Sequence, residues 1–557
     1  PAGMKAQLFA SEPMVINPIA IDWDLRGRCW VIETPNYPNE VLEDKGEDRI
    51  SILEDTDGDG LADKKIIFAE GLNLPTGILV FDVADGTGVI VAMAPDLLFA
   101  IDDDGDDRVD SWVPLATGFG RFDTHAGPSN LMFGPDNRIW GAVGYSSFSR
   151  ADGSKFGSGL WNLQLFTGSN FGLPEPQFVA QFTNNTWGLG LRDDGEVFGS
   201  TANGAPSFFV GASKEALKKS NPTHAGAMPI HDSADVFPAL TEIRQGDWLG
   251  QYTAAAGHAF ATGRHLPPSW DDRTAFICSP TAHTVGRFDS YSDGSGWRTR
   301  NAINLCASTD EWFCPVQASV GPDGAVWIAD FAQFIILHNL PGNPERGLPK
   351  IEYGDGNAHL NPMRDKLHGR IWRLVSEGRG GLSVPHINTR KGVGHNFFSA
   401  LGLLGYPNRF WRSAARKYLV FSEGFDLEDP SFRVPLLRKI RGAEGPLAAL
   451  EALRVFFGVS DVRRHRFPKL DEEVFPLSLQ SSDYRILIAG LNALPSSVDG
   501  ALWLLESGAL DHPSSQIRRH ALLAAARMPE SPSLGIALVS RAVVESVDDT
   551  WISIALR

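Results

Sequence analysis

The stretch "GPDNRIWGAVG", residues 134–144, joins a tight turn to the start of a strand. Its Asp-Asn pair suits the positive φ of a tight turn, and the alternation that follows places Trp140 on a buried face. The pattern returns as "DWDLRGRCWVIE" (22–33), "RDDGEVFGSTANG" (192–204) and "GPDGAVWIAD" (321–330). Hairpins that recur at irregular spacings are typical of a β-propeller, which has about four strands in each blade.

Residues 1–378 are therefore predicted to form a six-bladed β-propeller. The segment "GRIWRLV" (369–375) is predicted to be the last strand and to pair beside the N-terminal strand, which would remove exposed sheet edges. A tandem β-sandwich is the structural alternative. The innermost strands are predicted to begin near Asn17, Pro75, Ser129, Trp187, His258 and Pro315.

After residue 380 the apolar residues recur at helical spacing, as in "QIRRHALLAAARMP". Residues 379–440 are assigned to a linker and the start of the helical region, and residues 441–557 to HEAT-like repeats. Arg485 and Arg518 lie 33 residues apart at matching points of two helices. The predicted fold class is an all-β six-bladed β-propeller followed by an all-α HEAT-like helical solenoid, and such solenoids often hold partners.

Length and composition exclude several classes of protein. A chain of 557 residues exceeds the roughly 250–300 residues of a single core, so at least two domains are expected. The net charge of -17 argues against a nucleic-acid partner, because that affinity comes from Lys and Arg. No apolar run reaches the roughly 20 residues of a membrane span. Neither end resembles a natural terminus, and we expect more chain on both sides.

Two aspartate-rich loops share one frame: "DTDGDGLAD" (55–63) and "DDDGDDRVD" (102–110). Clustered carboxylates around a glycine bend suit calcium, which takes about six to eight oxygen ligands. The EF-hand glutamate is replaced by Ile66 and Val113, so we predict calcium sites at hairpin tips between outer strands. Metal-free acidic turns are the alternative. The predicted ligands are Asp55, Asp57, Asp59, Asp63, Asp102, Asp104, Asp106 and Asp110.

Ligands of propellers usually bind at one mouth of the central channel, on loops beside the innermost strands. His125 and His258 lie in such loops and are candidate bases near neutral pH, and Arg121 is a candidate for orienting a substrate or cofactor. A histidine or tryptophan in these loops can equally be a structural residue. The predicted cofactor-binding residues are Asn130, Trp187, Arg264 and Trp312. No nucleotide-binding, G-x-S-x-G, H-E-x-x-H or C-x-x-C-H motif occurs.

Several long motifs, among them "DRISILEDTDGDGLADKKIIFAEGLNLPTGI", "GFGRFDTHAGPSNLMFGPDNRIWGAVGY" and "STDEWFCPVQASVGPDGAVWIADF", occur in one order over about residues 8–375. They resemble the exported, membrane-bound (PVC-type) dehydrogenases of planctomycetes and verrucomicrobia. The propeller of that family is similar to the soluble glucose and sorbosone dehydrogenases that use pyrroloquinoline quinone (PQQ). HEAT repeats and a c-type cytochrome domain commonly follow it.

The resemblance implies oxidation of a sugar or sugar-derived alcohol or aldehyde outside the cytoplasm, in the periplasm or after secretion. His125 would be the base, PQQ the cofactor, and a c-type haem domain absent from this chain the electron acceptor. One departure puts PQQ in doubt, because Cys314 stands in "WFCPV" where an Arg is expected. A non-redox carbohydrate lyase or hydrolase, and a non-catalytic scaffold with a protein partner on the solenoid, are the alternatives.

Overall fold

The protein is described by a computed structural model over residues 3–38, 46–83, 86–121, 123–165, 175–182, 184–218, 223–243, 250–263, 266–334, 365–377, 385, 393–422, 425–462, 467–544 and 549–556. Within them, the strands between Met4 and Ser376 form six four-stranded antiparallel sheets, with one additional short hairpin. Each sheet is one blade, and its first strand lines the central channel. The predicted six-bladed propeller is confirmed.

The strands are numbered in chain order. Blade 1 contains β2 (Pro18–Trp23), β3 (Cys29–Glu33), β4 (Asp48–Glu54) and β5 (Lys64–Leu72). Blade 2 contains β6 (Gly77–Val83), β7 (Gly86–Met93), β8 (Asp96–Asp102) and β9 (Ser111–Thr117). Blade 3 contains β10 (Pro128–Phe133), β11 (Ile139–Val143), β14 (Gly159–Leu163) and β15 (Gln177–Gln181), with the hairpin β12 (Phe148–Ser149) and β13 (Lys155–Phe156) beside it.

The remaining blades follow the same order. Blade 4 contains β16 (Thr186–Leu191), β17 (Val197–Thr201), β18 (Phe208–Val210) and β19 (Ala227–Pro229). Blade 5 contains β20 (Ala256–Phe260), β21 (Thr274–Ser279), β22 (Thr284–Asp293) and β23 (Gly296–Ala307). Blade 6 contains β24 (Pro315–Val320), β25 (Val326–Asp330), β26 (Arg370–Ser376) and β1 (Met4–Ser11). All six innermost strands begin within two residues of the predicted positions.

Blade 6 closes the ring. Its outermost strand is β1 from the start of the chain, which pairs antiparallel with β26, so that Met4 lies opposite Ser376 and Ser11 opposite Arg370. The chain therefore contributes both of its propeller ends to one sheet. This confirms the closure predicted for residues 369–375, and it covers the sheet edge that β26 would otherwise expose.

The repeated turns join the first and second strands of their blades. Each contains a residue with positive φ, namely Gly27, Asn137, Gly195 and Gly324. In three of them an aspartate accepts the indole N–H of the buried tryptophan on the next strand: Asp24 from Trp30 at 3.1 Å, Asp136 from Trp140 at 2.8 Å and Asp323 from Trp327 at 2.8 Å. The aspartate is needed because a buried indole N–H without a partner is costly.

After the short α1 (Lys214–Leu217) of blade 4, ten helices begin at or after Val393 among the described residues. The first three of these ten lie inside the interval 379–440. None of the described helices is long and apolar enough to cross a bilayer. They are α2 (Val393–Leu403), α3 (Arg409–Phe421), α4 (Pro430–Ile440), α5 (Pro446–Val462), α6 (Pro468–Leu479), α7 (Tyr484–Ala493), α8 (Val498–Glu506), α9 (Ser515–Ala525), α10 (Pro532–Val544) and α11 (Thr550–Leu556).

The helices form a two-layered solenoid. One layer consists of α3, α5, α7, α9 and α11, each packed against the next. The other layer includes α6 and α8. The first layer packs on the propeller. We call the face where the innermost strands begin the top face, and the face that carries the repeated turns the bottom face.

The helical layer lies against the bottom face. The Trp411 indole of α3 donates to the Pro322 carbonyl at 2.9 Å, and Asn137 Nδ2 donates to the Arg454 carbonyl of α5 at 2.8 Å. Further along the layer, the Ser295 N–H donates to Asp549 Oδ2 at 2.7 Å, just before α11. The repeated turns that identify the propeller thus form its docking surface for the solenoid.

Buried ion pairs hold this interface. The Asp193 carboxylate of the blade 4 turn lies 2.6 Å from Arg412 Nη2 and 3.3 Å from Arg409 Nε, both on α3. Burial acts to raise the pKa of Asp193, but the positive charges of Arg412 and Arg409 outweigh it and hold the pKa well below its usual range. Glu196 of the same turn pairs with Arg519 of α9. Acidic turns of the propeller therefore meet basic side chains of the helices.

Candidate functional site

The central channel contains two adjoining cavities among the described residues. The mouth cavity, of about 110 Å³, lies at the top face and is lined by His125, Tyr37, Asn185 and Gln333 among others. The channel cavity, of about 210 Å³, lies below it along the innermost strands. Both are lined by Ile19, Trp187 and Val316, which mark the level where the two cavities meet.

β-Bulges direct these shared residues toward the channel. The pairing of the innermost strand with its neighbour shifts register between Pro18 and Ala20, between Thr186 and Gly188, and between Pro315 and Gln317. The extra residues are Ile19, Trp187 and Val316. A bulge reorients a side chain at the end of a strand, and this is how the top of the channel acquires its walls.

His125 lies at the mouth in a short 3₁₀ turn, Thr124–Ala126. Its Nδ1 is 3.3 Å from Asp123 Oδ1, and the same oxygen accepts the His125 backbone N–H at 2.9 Å. Asp123 is itself fixed, because its N–H donates to Ser146 Oγ at 2.9 Å. The imidazole is one-fifth exposed. A histidine beside a carboxylate is a common arrangement for proton transfer near neutral pH.

One aromatic ring contacts this histidine, and two others line the same cavity. The Tyr37 ring meets the His125 ring edge to face with 5.3 Å between the centroids, and it meets the Phe331 ring at 5.6 Å. Tyr37 and Phe331 both line the mouth cavity, as does Trp187. Aromatic walls beside a few amide groups, such as those of Asn185 and Gln333, suit the apolar faces and hydroxyl edges of a sugar ring.

Helix α3 forms the floor of the channel. Its Arg409, Ser413 and Lys417 line the channel cavity together with Asp22 of β2. Lys417 Nζ donates to the Val80 carbonyl, and burial lowers the pKa of this amine against the opposing effect of Asp22 and Asp82. Burial likewise raises the pKa of Asp22 to about 6. The solenoid therefore covers the lower end of the channel, and the mouth lies at the opposite end.

The structure places His258 away from His125. His258 is fully buried on β20, where its Nε2 lies 2.9 Å from Ser207 Oγ and its ring stacks on Phe198. Burial lowers its pKa to about 3. His258 borders the channel cavity, but its imidazole is held between blades 4 and 5. It is therefore not part of the candidate site at the mouth.

The other sequence-predicted residues are dispersed. Arg121 is exposed, and its Nε donates to the Ala94 carbonyl at 2.9 Å. Asn130 lines the channel cavity and donates to the Trp187 carbonyl at 3.0 Å, and Trp312 packs edge to face on Phe334. Arg264 lies outside the described residues. Of the predicted set, His125 and Trp187 are the two that line the mouth cavity.

The described residues of the mouth do not fit PQQ. This cofactor carries several carboxylates, which need Arg or Lys partners, and the described lining of the mouth cavity contains neither. Cys314, at the position where an Arg is expected, is buried, and burial raises the pKa of its thiol well above its ordinary value. A neutral thiol cannot hold an anion, so the described lining offers the carboxylates of PQQ neither an Arg nor a Lys partner.

The two aspartate loops lie at the predicted hairpin tips, between β4 and β5 and between β8 and β9. In each loop three carboxylates offer oxygens within 4.8 Å of one another: Asp55, Asp57 and Asp59, and Asp102, Asp104 and Asp106. These groups fit a hard cation. Asp63 instead accepts hydrogen bonds from Thr56, and Asp110 accepts the Asp103 N–H. Calcium binding stays a prediction, and both loops lie away from the mouth cavity.

Sequence reasoning did not single out Asp123, Tyr37, Asn185 or Gln333. Asp123 could have been found, because it lies two residues before His125 in "DTH". Tyr37, Asn185 and Gln333 come from the loops of three other blades. Their convergence depends on closure of the ring, which leaves no local signal.

Solved structures with a similar fold include sugar dehydrogenases. The apo-form of the soluble aldose sugar dehydrogenase from Escherichia coli is 12% identical, with 67% of this chain and 99% of that chain covered and a TM-score of 0.39. The PQQ-bound aldose sugar dehydrogenase from Streptomyces coelicolor is 14% identical, with 67% and 99% covered and a TM-score of 0.35. Similarity at this level assigns neither cofactor nor substrate to this chain.

Curated relatives match a smaller part of the sequence. The demethylmenaquinone methyltransferase of Anoxybacillus flavithermus is 26% identical over 118 residues, which are 21% of this chain and 48% of that protein. The same enzyme of Geobacillus kaustophilus is 26% identical over 118 residues and 49% of its length. The chain thus spans about half the length of the curated relatives it matches.

A family model described as "Domain of unknown function (DUF7133)" matches residues 1–378. This interval contains strands β1 to β26, and with them the mouth cavity and both aspartate loops. The match covers more than half of the sequence, and the chain therefore belongs to the DUF7133 family.

Proposed function

We propose that the chain is a carbohydrate oxidoreductase that acts on a sugar or sugar-derived alcohol at the mouth of the propeller. The observation that carries the proposal is the Asp123–His125 pair at 3.3 Å, whose histidine lines the mouth cavity together with aromatic side chains. The sequence resemblance to exported dehydrogenases favours oxidation as the reaction and an extracytoplasmic location.

In this proposal the His125 imidazole accepts the proton of a substrate hydroxyl, and Asp123 stabilises the imidazolium that forms. The carbon that bears the hydroxyl gives up a hydride to a diffusible two-electron acceptor of the quinone or dye class, so that the alcohol becomes a carbonyl and the acceptor is reduced. Tyr37 and Trp187 enclose the sugar ring, while Asn185 and Gln333 provide hydrogen-bonding groups for its other hydroxyls. Proton transfer of this kind contributes roughly 10²–10⁴-fold to a rate.

The experiment assays the purified chain against a panel of aldoses and sugar alcohols with an artificial dye as acceptor, with and without added calcium and PQQ. We expect sugar-dependent dye reduction in the native chain and a loss of about 10²-fold or more in kcat for His125→Asn. His368→Asn is the matched control, because His368 also pairs with an aspartate, at 2.6 Å from Asp365, but lines neither cavity.

The alternatives give different results in the same assay. A lyase or hydrolase would release products without any acceptor, and His125→Asn would still abolish turnover. A scaffold would show no turnover with any sugar, and His125→Asn would not alter the capture of its partner. Equal activity of His125→Asn and His368→Asn would remove His125 from the mechanism.

A further inference from the structure

One aromatic side chain stands out at the rim of the mouth. Tyr145, on the connection between β11 and β12, is 51% exposed, although Gly144 and Ser146 on either side of it are buried. A single exposed aromatic ring is common on protein surfaces and does not by itself mark a site. The contacts that hold this ring beside the mouth are what indicate a role in binding.

Tyr145 is held on both sides. Its backbone N–H donates to Asn185 Oδ1 at 2.8 Å, and its hydroxyl donates to Asn184 Oδ1 at 3.1 Å. A Cβ atom at Gly144 would lie 2.5 Å from that same Asn185 oxygen and 2.9 Å from Ala126. The glycine thus permits a close contact between three loops, and the ring is presented in one fixed orientation.

The loops that hold Tyr145 are those that build the candidate catalytic site. Asn185 lines the mouth cavity, and the Gly144 N–H donates at 2.9 Å to the carbonyl of Ala126, which follows His125. Ser146 Oγ donates to the Asp123 carbonyl at 2.6 Å. The backbone that carries the ring therefore belongs to the same hydrogen-bonded unit as the Asp123–His125 pair.

We propose that Tyr145 is the platform of a second sugar subsite, and that the substrate is an oligosaccharide rather than a free monosaccharide. The terminal unit would enter the mouth beside His125, and the adjoining unit would stack one face on the Tyr145 ring. This inference rests on the proposed function. An exposed ring whose hydroxyl already has an acceptor offers its apolar face, which matches the C–H face of a pyranose.

The test measures how affinity depends on sugar length, by calorimetry on the full chain. The probes are glucose and its linear β-1,4 and α-1,4 oligomers of about two to six units. We expect about tenfold tighter binding of oligomers than of glucose, which corresponds to about 1.4 kcal/mol. Tyr145→Ala should lose this gain and leave glucose binding unchanged, whereas Tyr145→Phe and Tyr145→Trp should keep it. Tyr291→Ala, at a tyrosine 45% exposed on the hairpin of β22 and β23, is the matched control.

The outcomes separate this inference from the proposed function. If oligomers bind through Tyr145 but are never oxidised, the proposed function fails and the subsite stands. If oxidation occurs and Tyr145→Ala affects glucose and oligomers alike, the subsite is overturned and the proposed function stands. Failure of every oligomer to bind more tightly than glucose also overturns the subsite.

Discussion

At the scale of single residues, His125 and His258 differ in surroundings although the sequence presents them alike. The sequence predicts that each lies at or just before the start of an innermost strand, and it favours a channel-facing role for both. His125 lies in a turn that ends before β10, so its ring stays at the mouth, whereas His258 lies inside β20 at a bulge that buries it between two blades. The strand position of a residue can be predicted, but the direction that a bulge gives its side chain cannot.

His258 should make the stability of the protein depend on pH. Burial lowers its pKa from the ordinary value of 6.5 to about 3 on folding, so the unfolded chain binds more protons between these values. The contribution of His258 to the free energy of unfolding is therefore largest above pH 6.5. It falls by about 2 kcal/mol between pH 7 and pH 5, because the unfolded chain takes up a proton that the buried imidazole does not. Denaturant unfolding at several pH values measures this loss.

The variant His258→Gln is needed for this measurement, because other groups act in the opposite direction. Burial raises the pKa of Asp22 to about 6 and that of Asp82 to about 7, so their contributions favour the folded state at lower pH. The difference between the native chain and His258→Gln isolates the histidine. An identical pH dependence in both would contradict the assignment of His258 as a buried neutral group.

At the scale of elements, each aspartate loop connects its blade to the preceding one. In the second loop, Asp107 pairs with Arg28 of blade 1 at 2.8 Å, and in the first loop the Ala62 N–H donates to the Phe9 carbonyl of β1 in blade 6 at 2.7 Å. Ordering of these loops would therefore stabilise the contacts between blades. The position of the loops followed from sequence, but their contacts across blades did not.

Calcium should accordingly stabilise the folded chain. A cation that binds only the folded state at 100 times its Kd adds about 2.7 kcal/mol. We expect thermal unfolding to shift upward with added calcium, and the shift to disappear in the double variant Asp57→Asn, Asp104→Asn. The exposed turn residue Asp152, which is outside both clusters, provides the control Asp152→Asn. A calcium shift that survives the double variant would place the cation elsewhere.

The docking of α3 gives a second prediction at this scale. Removing the Asp193 carboxylate would leave the side chains of Arg412 and Arg409 charged and without their anion, with Arg412 only 2% exposed. Loss of one partner of a buried pair costs roughly 3–5 kcal/mol, so Asp193→Ala should lower the free energy of unfolding by about that amount.

The matched control for Asp193→Ala is Asp293→Ala. Asp293 pairs with Arg298 at 2.8 Å, but both side chains are 56% exposed. Exposed pairs contribute about 0–1 kcal/mol, so this control should be nearly neutral in the same denaturant titration. Equal losses in the two variants would mean that Asp193 does not hold the helices to the propeller.

At the scale of the whole molecule, local sequence patterns predicted the individual strands, turns and helices. Their arrangement relative to one another is seen only in the structure. Asp136 and Trp140 are close in sequence and reveal a turn and a strand, and Arg485 and Arg518 reveal a helical period. Arg412 and Asp193 are 219 residues apart, and no periodicity links them. For the same reason the sequence predicted a channel mouth with His125 but did not predict that Tyr37 lies beside it, or that α3 covers the other end.

The shared cores of the two regions indicate that they unfold together. Val420 and Phe421 of α3 pack in one apolar cluster with Phe81 and Phe133 of the propeller. Trp551 of α11 packs with Phe209 of blade 4 and Trp297 of blade 5 in another. Separation would expose these apolar groups together with the buried charges of the interface, and both exposures are unfavourable.

We therefore expect one cooperative transition for the full chain, although the family model ends at residue 378. Native-state hydrogen exchange should give the amides of β6 and α3 the same opening free energy as denaturant rises, because each element needs the other to stay buried. The fragment of residues 1–378 should then aggregate or unfold at lower denaturant than the full chain. Opening of α3 well before β6 would instead show a propeller that is stable alone, with the solenoid as a separable cover of its channel.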